Sequence, residues 1–260
     1  MRNNERLVTK ITYIGGPTAL IEIGGLRLLT DPTFDPAGTD YKSTKKLIGP
    51  AISAQQIGRI DVVLLSHDEH PDNLDAAGRS LLGKARTILT TPAGAKRLGR
   101  NAVGLKNWQD FELKDNDSDT VTITGTPARH GPEGCESKLG EVTGFVVSPK
   151  RQDHVAIYFS GDTVWYEGVA EVGRRFRIGI ALINLGAVQV DHFGPERLTM
   201  SADEAVQLAR AFGLHMLIPL HYEGWAHYRE SREKVKKTFT STGLDERVHW
   251  LAPGVSARIS

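Results

Sequence analysis

Short apolar runs rich in β-branched residues recur along the chain, separated by Gly, Pro and Asp, and predict many strands. Between the later runs, apolar residues return at helical spacing and predict helices. The predicted strands are Val8–Ile14, Ala19–Ile23, Leu26–Thr30, Val62–Leu65, Thr87–Leu89, Val121–Thr124, Gly144–Val147, Val155–Phe159, Ile180–Leu185, Met216–Leu220, Val248–Leu251 and Val255–Ile259. The predicted helices are Leu74–Leu82, Ala93–Leu98, Ala202–Phe212 and Glu230–Thr240. Strands come first and strand–helix alternation follows, which predicts an α/β fold of two packed mixed β-sheets with helices outside.

Composition narrows the kind of protein without identifying its chemistry. The 260 residues are enough for one large domain, and because no linker-like run interrupts them we expect a single domain over 1–260. The 32 basic and 31 acidic residues nearly cancel, which argues against a nucleic-acid partner. No apolar run is long enough for a membrane span, no signal peptide is recognisable, and the single Cys135 cannot form an internal disulfide. We therefore expect a cytoplasmic protein with a small-molecule substrate; the sequence leaves the oligomeric state open, a homo-oligomer included.

His and Asp residues stand directly after four of the apolar runs. DVVLL leads into SHDEHPDN (66–73), TVTITGTPA into Arg129 and His130, VAIYFSG into Asp162, and HMLIPL into His221. Because strand ends at one edge of a sheet converge, we expect these side chains to share a centre. Imidazoles and carboxylates are ligands of zinc, iron and manganese, so the pattern predicts a divalent metal centre. The candidate ligands are His67, Glu69, His70, Asp72, His130, Asp162 and His221.

A Ser–His–Asp triad is the rival use of the same residues. Ser66 does precede His67, but the chain has no G-x-S-x-G elbow. A triad would also leave at least three of the acidic and His residues without a role. The metal centre is the better interpretation.

The same motifs, in the same order, resemble the metallo-β-lactamase superfamily. SHDEHPDNLD (66–75), ARHGPEG (128–134), SGDTVW (160–165) and PLHYEGW (219–225) match its signature, and DPTF (31–34) matches an earlier family motif. The resemblance covers the chain from about Ile11 to Pro253. It looks closest to the branch of ascorbate-6-phosphate lactonase-like and N-acyl-phosphatidylethanolamine phospholipase D-like proteins. The resemblance implies an αββα sandwich with one or two metal ions, Zn²⁺ first and Mn²⁺ or Fe²⁺ as alternatives, at one edge.

The resemblance also assigns roles to individual positions. It makes His67 and His130 ligands of a first metal, Asp162 the carboxylate between two metals and His221 a ligand of the second. The first motif carries one extra residue, so either Glu69 or His70 supplies the remaining first-metal ligand. Asp72 then becomes a second-metal ligand and the catalytic residue that holds the attacking hydroxide. Asn73 stands where the family has a second-metal His, and an amide oxygen is a poorer zinc ligand than imidazole.

The family chemistry implied is hydrolysis by a metal-activated hydroxide at a carbonyl or phosphoryl centre, as in a lactone, ester, amide or phosphodiester. Two alternatives stay open. A non-haem di-iron redox protein of the same fold is suggested by the spacing of His67 and Glu69, and a non-catalytic metal-binding protein by Asn73. Asp31 is expected to orient a ligand or to close a turn.

Aromatic and His residues that closely follow the candidate ligands could line a substrate pocket. We expect substrate contacts from Trp165, Tyr222, Trp225, His227 and His192.

Overall fold

Two mixed β-sheets pack face to face in the computed structural model, which describes residues 9–99, 101–114, 120–150 and 155–259. Val8, at the start of the first predicted strand, lies outside the described residues. The strands are β1 (Thr9–Gly15), β2 (Thr18–Ile23), β3 (Leu26–Thr30), β4 (Ile60–Leu64), β5 (Ala85–Thr90), β6 (Ala102–Gly104), β7 (Asp110–Lys114), β8 (Thr120–Pro127), β9 (Thr143–Pro149), β10 (Ala156–Phe159), β11 (Ile178–Asn184), β12 (Met216–Leu220) and β13 (Ser256–Ile259). The helices are α1 (Ala76–Leu81), α2 (Pro92–Leu98), α3 (Glu136–Leu139), α4 (Glu167–Arg175), α5 (Ala202–Ala211) and α6 (Arg232–Ser241).

Each sheet joins an antiparallel part to a parallel part. The first sheet runs in the order β13-β1-β2-β3-β4-β5-β6, antiparallel up to β3 and parallel from β3 to β6. The second runs in the order β12-β11-β10-β9-β8-β7, parallel from β12 to β10 and antiparallel beyond. The parallel strands therefore send their carboxyl ends to one edge, where loops can gather side chains.

The strand β4 is buried along its whole length, which explains why its sequence is mostly apolar. Val62 and Leu64 belong to the core between the two sheets, whereas Val63 and the following Leu65 belong to the cluster on the outer face of the first sheet. Successive side chains alternate between faces, and both faces of this strand are covered. The burial of both faces accounts for the run IDVVL.

Helices cover the outer face of each sheet. Leu81 at the end of α1 packs on the first sheet, and Val169 of α4, Val206 of α5 and Phe239 of α6 pack on the second. This helix–sheet–sheet–helix layering confirms the predicted αββα sandwich. Within the described ranges, no helix is long and apolar enough to cross a membrane.

Individual elements depart from the prediction where local signals were weak. The capping box of Ser201 and Glu204 does start α5 as its sequence indicates. The predicted strand Val248–Leu251 was wrong: it forms one parallel bridge, from Val248 to Leu217, because the chain only touches the sheet there. The prediction also missed β6, β7, α3 and α4.

Candidate metal centre

Four strand ends deliver the candidate ligands to one place between the sheets. His67 follows β4 of the first sheet, while His130, Asp162 and His221 follow β8, β10 and β12 of the second. Two groups of donor atoms result, each with its atoms within 4.8 Å of one another. The first group is His67, His70 and His130, and the second is Asp72, Asp162 and His221.

The first group presents three imidazole nitrogens to one point. His70 Nδ1 lies 2.8 Å from His67 Nε2 and 3.2 Å from His130 Nε2. The Nδ1 of His130 faces the Leu198 carbonyl at 2.8 Å, and the Nδ1 of His67 faces Ser66 Oγ at 3.0 Å. Since the Ser66 hydroxyl donates to Asp31, its oxygen is left to accept from His67.

These partners leave the inward nitrogens of His67 and His130 as lone pairs. Burial holds the pKa of His67 well below its usual range and lowers the pKa of His130 to about 4, so both rings are neutral. These two lone pairs converge with His70 Nδ1 on one point. Three convergent imidazole nitrogens are a donor set that fits a divalent cation.

The second group is a buried pair of carboxylates with an imidazole. His221 Nε2 lies 3.1 Å from Asp72 Oδ2 and 3.6 Å from Asp162 Oδ2, and its Nδ1 faces the Leu185 carbonyl at 3.2 Å. Burial acts to raise the pKa of Asp72, but His227 and His221 hold it well below its usual range. Against the lowering effect of burial, the two carboxylates raise the pKa of His221 to about 9. This group therefore attracts positive charge.

Hydrogen bonds from behind hold the ligands in place. Asp31 accepts from the backbone N–H and hydroxyl of Ser66, both at 2.7 Å, and from Asn73 Nδ2 at 2.9 Å. Asp162 Oδ1 accepts from Asn73 Nδ2 at 3.1 Å and from Asn184 Nδ2 at 2.8 Å. Burial raises the pKa of Asp31 to about 7. Asp31 thus contacts ligand-orienting groups, while Asn184 is a supporting residue that the sequence analysis missed.

The side chains of Glu69 and His70, the two alternatives for the third ligand in the first motif, point to different places. His70 joins the imidazole group, whereas the Glu69 carboxylate forms an ion pair with Arg97 outside both groups. Arg97 also binds Asp68 at 2.5 Å, so it holds both acidic residues away from the centre. Asn73 turns its amide nitrogen to Asp31 and Asp162, and its buried amide oxygen has no hydrogen-bond partner among the described residues.

A cavity of about 130 Å³ opens beside the two groups. Metal-site residues form one side of it, and an apolar wall forms the other. Its lining residues are Ser43, Thr44, His70, Pro71, Asp72, His130, Lys138, Leu139, Val188, Val190, Phe193, Leu198 and His227.

The residues predicted to contact substrate are mostly placed elsewhere. Trp165 packs against Phe212, and Trp225 is buried against Tyr41 with ring centroids 5.4 Å apart. Tyr222 lies between Tyr13 and Trp250. Tyr222 and Trp225 are buried, and Trp165 is partly buried against the apolar cluster on the outer face of the second sheet. His192 lies in the 3₁₀ turn Asp191–Phe193, and its side chain is outside the described part of the chain.

His227 does line the cavity, and it also reaches the second group. Its Nε2 lies 2.8 Å from Asp72 Oδ2, and its Nδ1 forms a hydrogen bond with Thr44 Oγ1. The side chain is 8% exposed. The sequence predicted His227 only as a substrate contact, and nothing in it indicated the contact with Asp72.

Comparison with known proteins agrees with this architecture. Residues 26–222 match the family described as the β-lactamase superfamily domain. The chain is 27% identical to a UPF0173 metal-dependent hydrolase of Methanosphaerula palustris, over 96% of this chain and 100% of that one. It is 25% identical to the UPF0173 protein YddR of Bacillus subtilis, over 92% of this chain and 95% of that one.

Solved structures show the same fold at low identity. An isothiocyanate hydrolase from Delia radicum gut bacteria superposes with a TM-score of 0.82 at 21% identity, covering 96% of this chain and 99% of that one. The di-iron β-hydroxylase CmlA of Streptomyces venezuelae gives 0.67 at 14% identity, covering 99% of this chain and 55% of that one. The chain belongs to the β-lactamase superfamily, among its metal-dependent hydrolases.

Proposed function

We propose that this protein hydrolyses a small-molecule substrate at a carbonyl or phosphoryl centre, such as a lactone, ester, amide or phosphodiester. One or two divalent ions, zinc the first choice, bind in the two donor groups. His67, His70 and His130 hold the first ion, and Asp72, Asp162 and His221 hold the second. The observation that carries the proposal is the convergence of three imidazole nitrogens on one point, beside an anionic group and a cavity.

A divalent ion bound here lowers the pKa of water from about 15.7 towards 7. The protein supplies orientation. Asp72 lines the cavity and stays ionised because His227 and His221 hold its pKa low. Its carboxylate can therefore accept a hydrogen bond from the attacking water and orient it.

The cavity favours a compact substrate with an apolar part. Leu139, Val188 and Leu198 form a buried cluster along its wall, and Lys138 offers a cation among the lining residues. A volume of about 130 Å³ holds a small group rather than a polymer.

The di-iron redox alternative has less support. It rests on Glu69 as a ligand, and Glu69 pairs with Arg97 instead. A shared fold with CmlA does not show that this chain catalyses the same reaction as CmlA.

The test is to remove metal with a chelator, restore zinc, manganese or iron(II), and assay hydrolysis of four probes. The probes are p-nitrophenyl acetate, δ-valerolactone, bis(p-nitrophenyl) phosphate and benzyl isothiocyanate, the last because the superposed hydrolase acts on isothiocyanates. We expect turnover of at least one probe to require metal and to fall at least about 1,000-fold in His67→Ala. His215→Ala is the control because His215 is exposed, outside both groups.

Equal turnover by metal-free and metal-loaded protein would contradict the proposal. Tightly held iron with a visible redox spectrum, without hydrolysis, would favour the di-iron alternative.

A further inference from the structure

Each donor group has three protein residues, and the second group shares one of them. The first has three imidazoles, whereas the second has Asp72, Asp162 and His221, and the family resemblance places Asp162 between the two ions. Zinc in proteins is usually four-coordinate. A further imidazole near Asp72 would therefore complete the second site.

His227 is placed to supply that imidazole. Its Nε2 and the Nε2 of His221 lie 2.8 and 3.1 Å from the same oxygen, Asp72 Oδ2. Two donors each about 2.1 Å from one tetrahedral ion stand about 3.4 Å apart, so the distance of each nitrogen from Asp72 Oδ2 suits two ligands of one ion. His227 itself stands outside the set of donor atoms that lie within 4.8 Å of one another, so an ion in the second group would have to draw its ring inward.

The ring of His227 also has an outer hydrogen-bond partner. Its Nδ1 bonds to Thr44 Oγ1, a hydroxyl that can accept from Nδ1 or donate to it, whereas the Nδ1 atoms of His130 and His221 face the carbonyls of Leu198 and Leu185, which can only accept. Outer partners of this kind hold metal-binding His rings in one orientation.

The backbone of the loop that carries His227 is also held in place. Leu47 N–H donates to the Gly224 carbonyl at 2.7 Å, and Ala226 N–H donates to the Lys45 carbonyl at 3.0 Å. Lys46 and Trp225 form an isolated β-bridge between these two hydrogen bonds, and the Trp225 side chain is buried. The segment that carries Thr44 and the segment that carries His227 are thus held together through their backbones.

We infer that His227 is a ligand of the second metal ion and supplies the imidazole that Asn73 cannot. Asn73 instead donates to Asp31 and Asp162 from behind the site. The inference rests on the proposed function, because it needs an ion in the second donor group.

The experiment compares zinc binding by wild type, His227→Ala, His227→Gln and the exposed control His215→Ala. His227→Gln keeps an N–H donor for Asp72 but removes the imidazole, and it also serves if His227→Ala does not fold. Zinc is titrated calorimetrically into metal-free protein, and zinc retained after dialysis is measured by plasma emission spectrometry. Cobalt(II) absorption reports the ligands of each site.

We expect wild type and His215→Ala to retain two ions, and both His227 variants to bind the first ion normally. Their affinity for the second ion should fall by more than about 100-fold, beyond the 10- to 100-fold range of a residue that only orients a ligand. The second-site cobalt(II) spectrum should change as well. A loss of about 100-fold or less in His227→Gln would overturn the inference, as would a wild type that binds a single ion. A wild type that binds no ion would instead overturn the proposed function.

Discussion

At the residue scale, single hydrogen bonds decide which nitrogen of each imidazole faces the centre. The Leu198 carbonyl faces Nδ1 of His130, so the Nε2 of that ring faces the centre. Nδ1 of His67 faces the Ser66 hydroxyl, which itself donates to Asp31. The hydrogen bonds from Asp31 through Ser66 to His67 therefore aim the Nε2 lone pair of His67, the residue that we propose as a ligand of the first ion.

Replacing Ser66 with Ala should weaken the first metal site. The His67 ring loses the partner of its Nδ1, and Asp31 loses a buried hydrogen bond. We expect first-site zinc affinity to fall by about 10- to 100-fold, measured by competition with a chromophoric chelator. Ser80→Ala is the control because the exposed Ser80 hydroxyl bonds only to its own helix. Unchanged affinity in Ser66→Ala would show that packing alone orients His67.

The sequence predicted some residues of the site better than others, for physical reasons. His130 follows the β-branched strand TVTITGTP and Asp162 follows the apolar strand AIYF, so the position of each at a strand end can be read directly from the sequence. The choice between Glu69 and His70 could not be read, because it depends on Arg97, which lies on a different helix. The Leu198 carbonyl gives no sequence signal at all, since every residue carries such an acceptor.

At the element scale, tight turns after the strands aim the ligands inward. His221 has a φ of 58° directly after β12, and Gly161 has a φ of +58° directly before Asp162. Positive φ is costly for residues other than Gly, and such positions persist where the surroundings enforce them. The turns are therefore part of the site.

Gly161→Ala should destabilise the protein more than Gly213→Ala. Both glycines have φ near +60°, but a Cβ at Gly161 would lie 2.6 Å from Ser66 Cβ and 2.7 Å from the Thr143 carbonyl oxygen. A Cβ at Gly213 would meet nothing within 4 Å. We expect a loss of about 1–2 kcal/mol in unfolding free energy for Gly213→Ala and about 2–5 kcal/mol for Gly161→Ala, by urea denaturation. Equal losses would mean that the turn at Gly161 can shift.

The sequence predicted strands whose two faces are both buried, and it failed to predict an edge strand and a helix that bury few residues. The strand β11 is buried throughout and reads as the apolar run IGIALIN. The strand β7 is an edge strand with no fully buried residue, so its sequence DFELK gives little signal. The helix α4 buries only Val169 and Val172, too few for a clear periodic pattern.

At the scale of the whole molecule, each donor group joins the two sheets. His67 and His70 follow the first sheet and His130 the second, while Asp72 follows the first and Asp162 and His221 the second. An ion in either group would link the two sheets across the core. That the whole chain forms a single domain stays a prediction.

Metal removal should therefore lower thermal stability. An ion that binds only the folded state at 100 times its dissociation constant adds about 2.7 kcal/mol. We expect a lower Tm in excess chelator, measured by differential scanning calorimetry, and recovery when zinc is restored. His67→Ala should lose the first-site part of this shift, and His215→Ala should keep all of it. A Tm that does not respond to chelator would count against metal binding in the folded state.

The residues of the second donor group lie far apart along the chain, and this separation matters while the ribosome makes the protein. Asp72 and His221 are 149 residues apart, so at a ribosomal rate of about 5–20 residues per second the carboxylate exists for roughly 7–30 s before its imidazole partner is made. During that time a nascent chain offers only part of the second donor set, whereas all three residues of the first set exist once His130 has been made. Capture of an ion by the second set must therefore wait until translation has passed His221, which would make loading of that set a late step in the biogenesis of this protein.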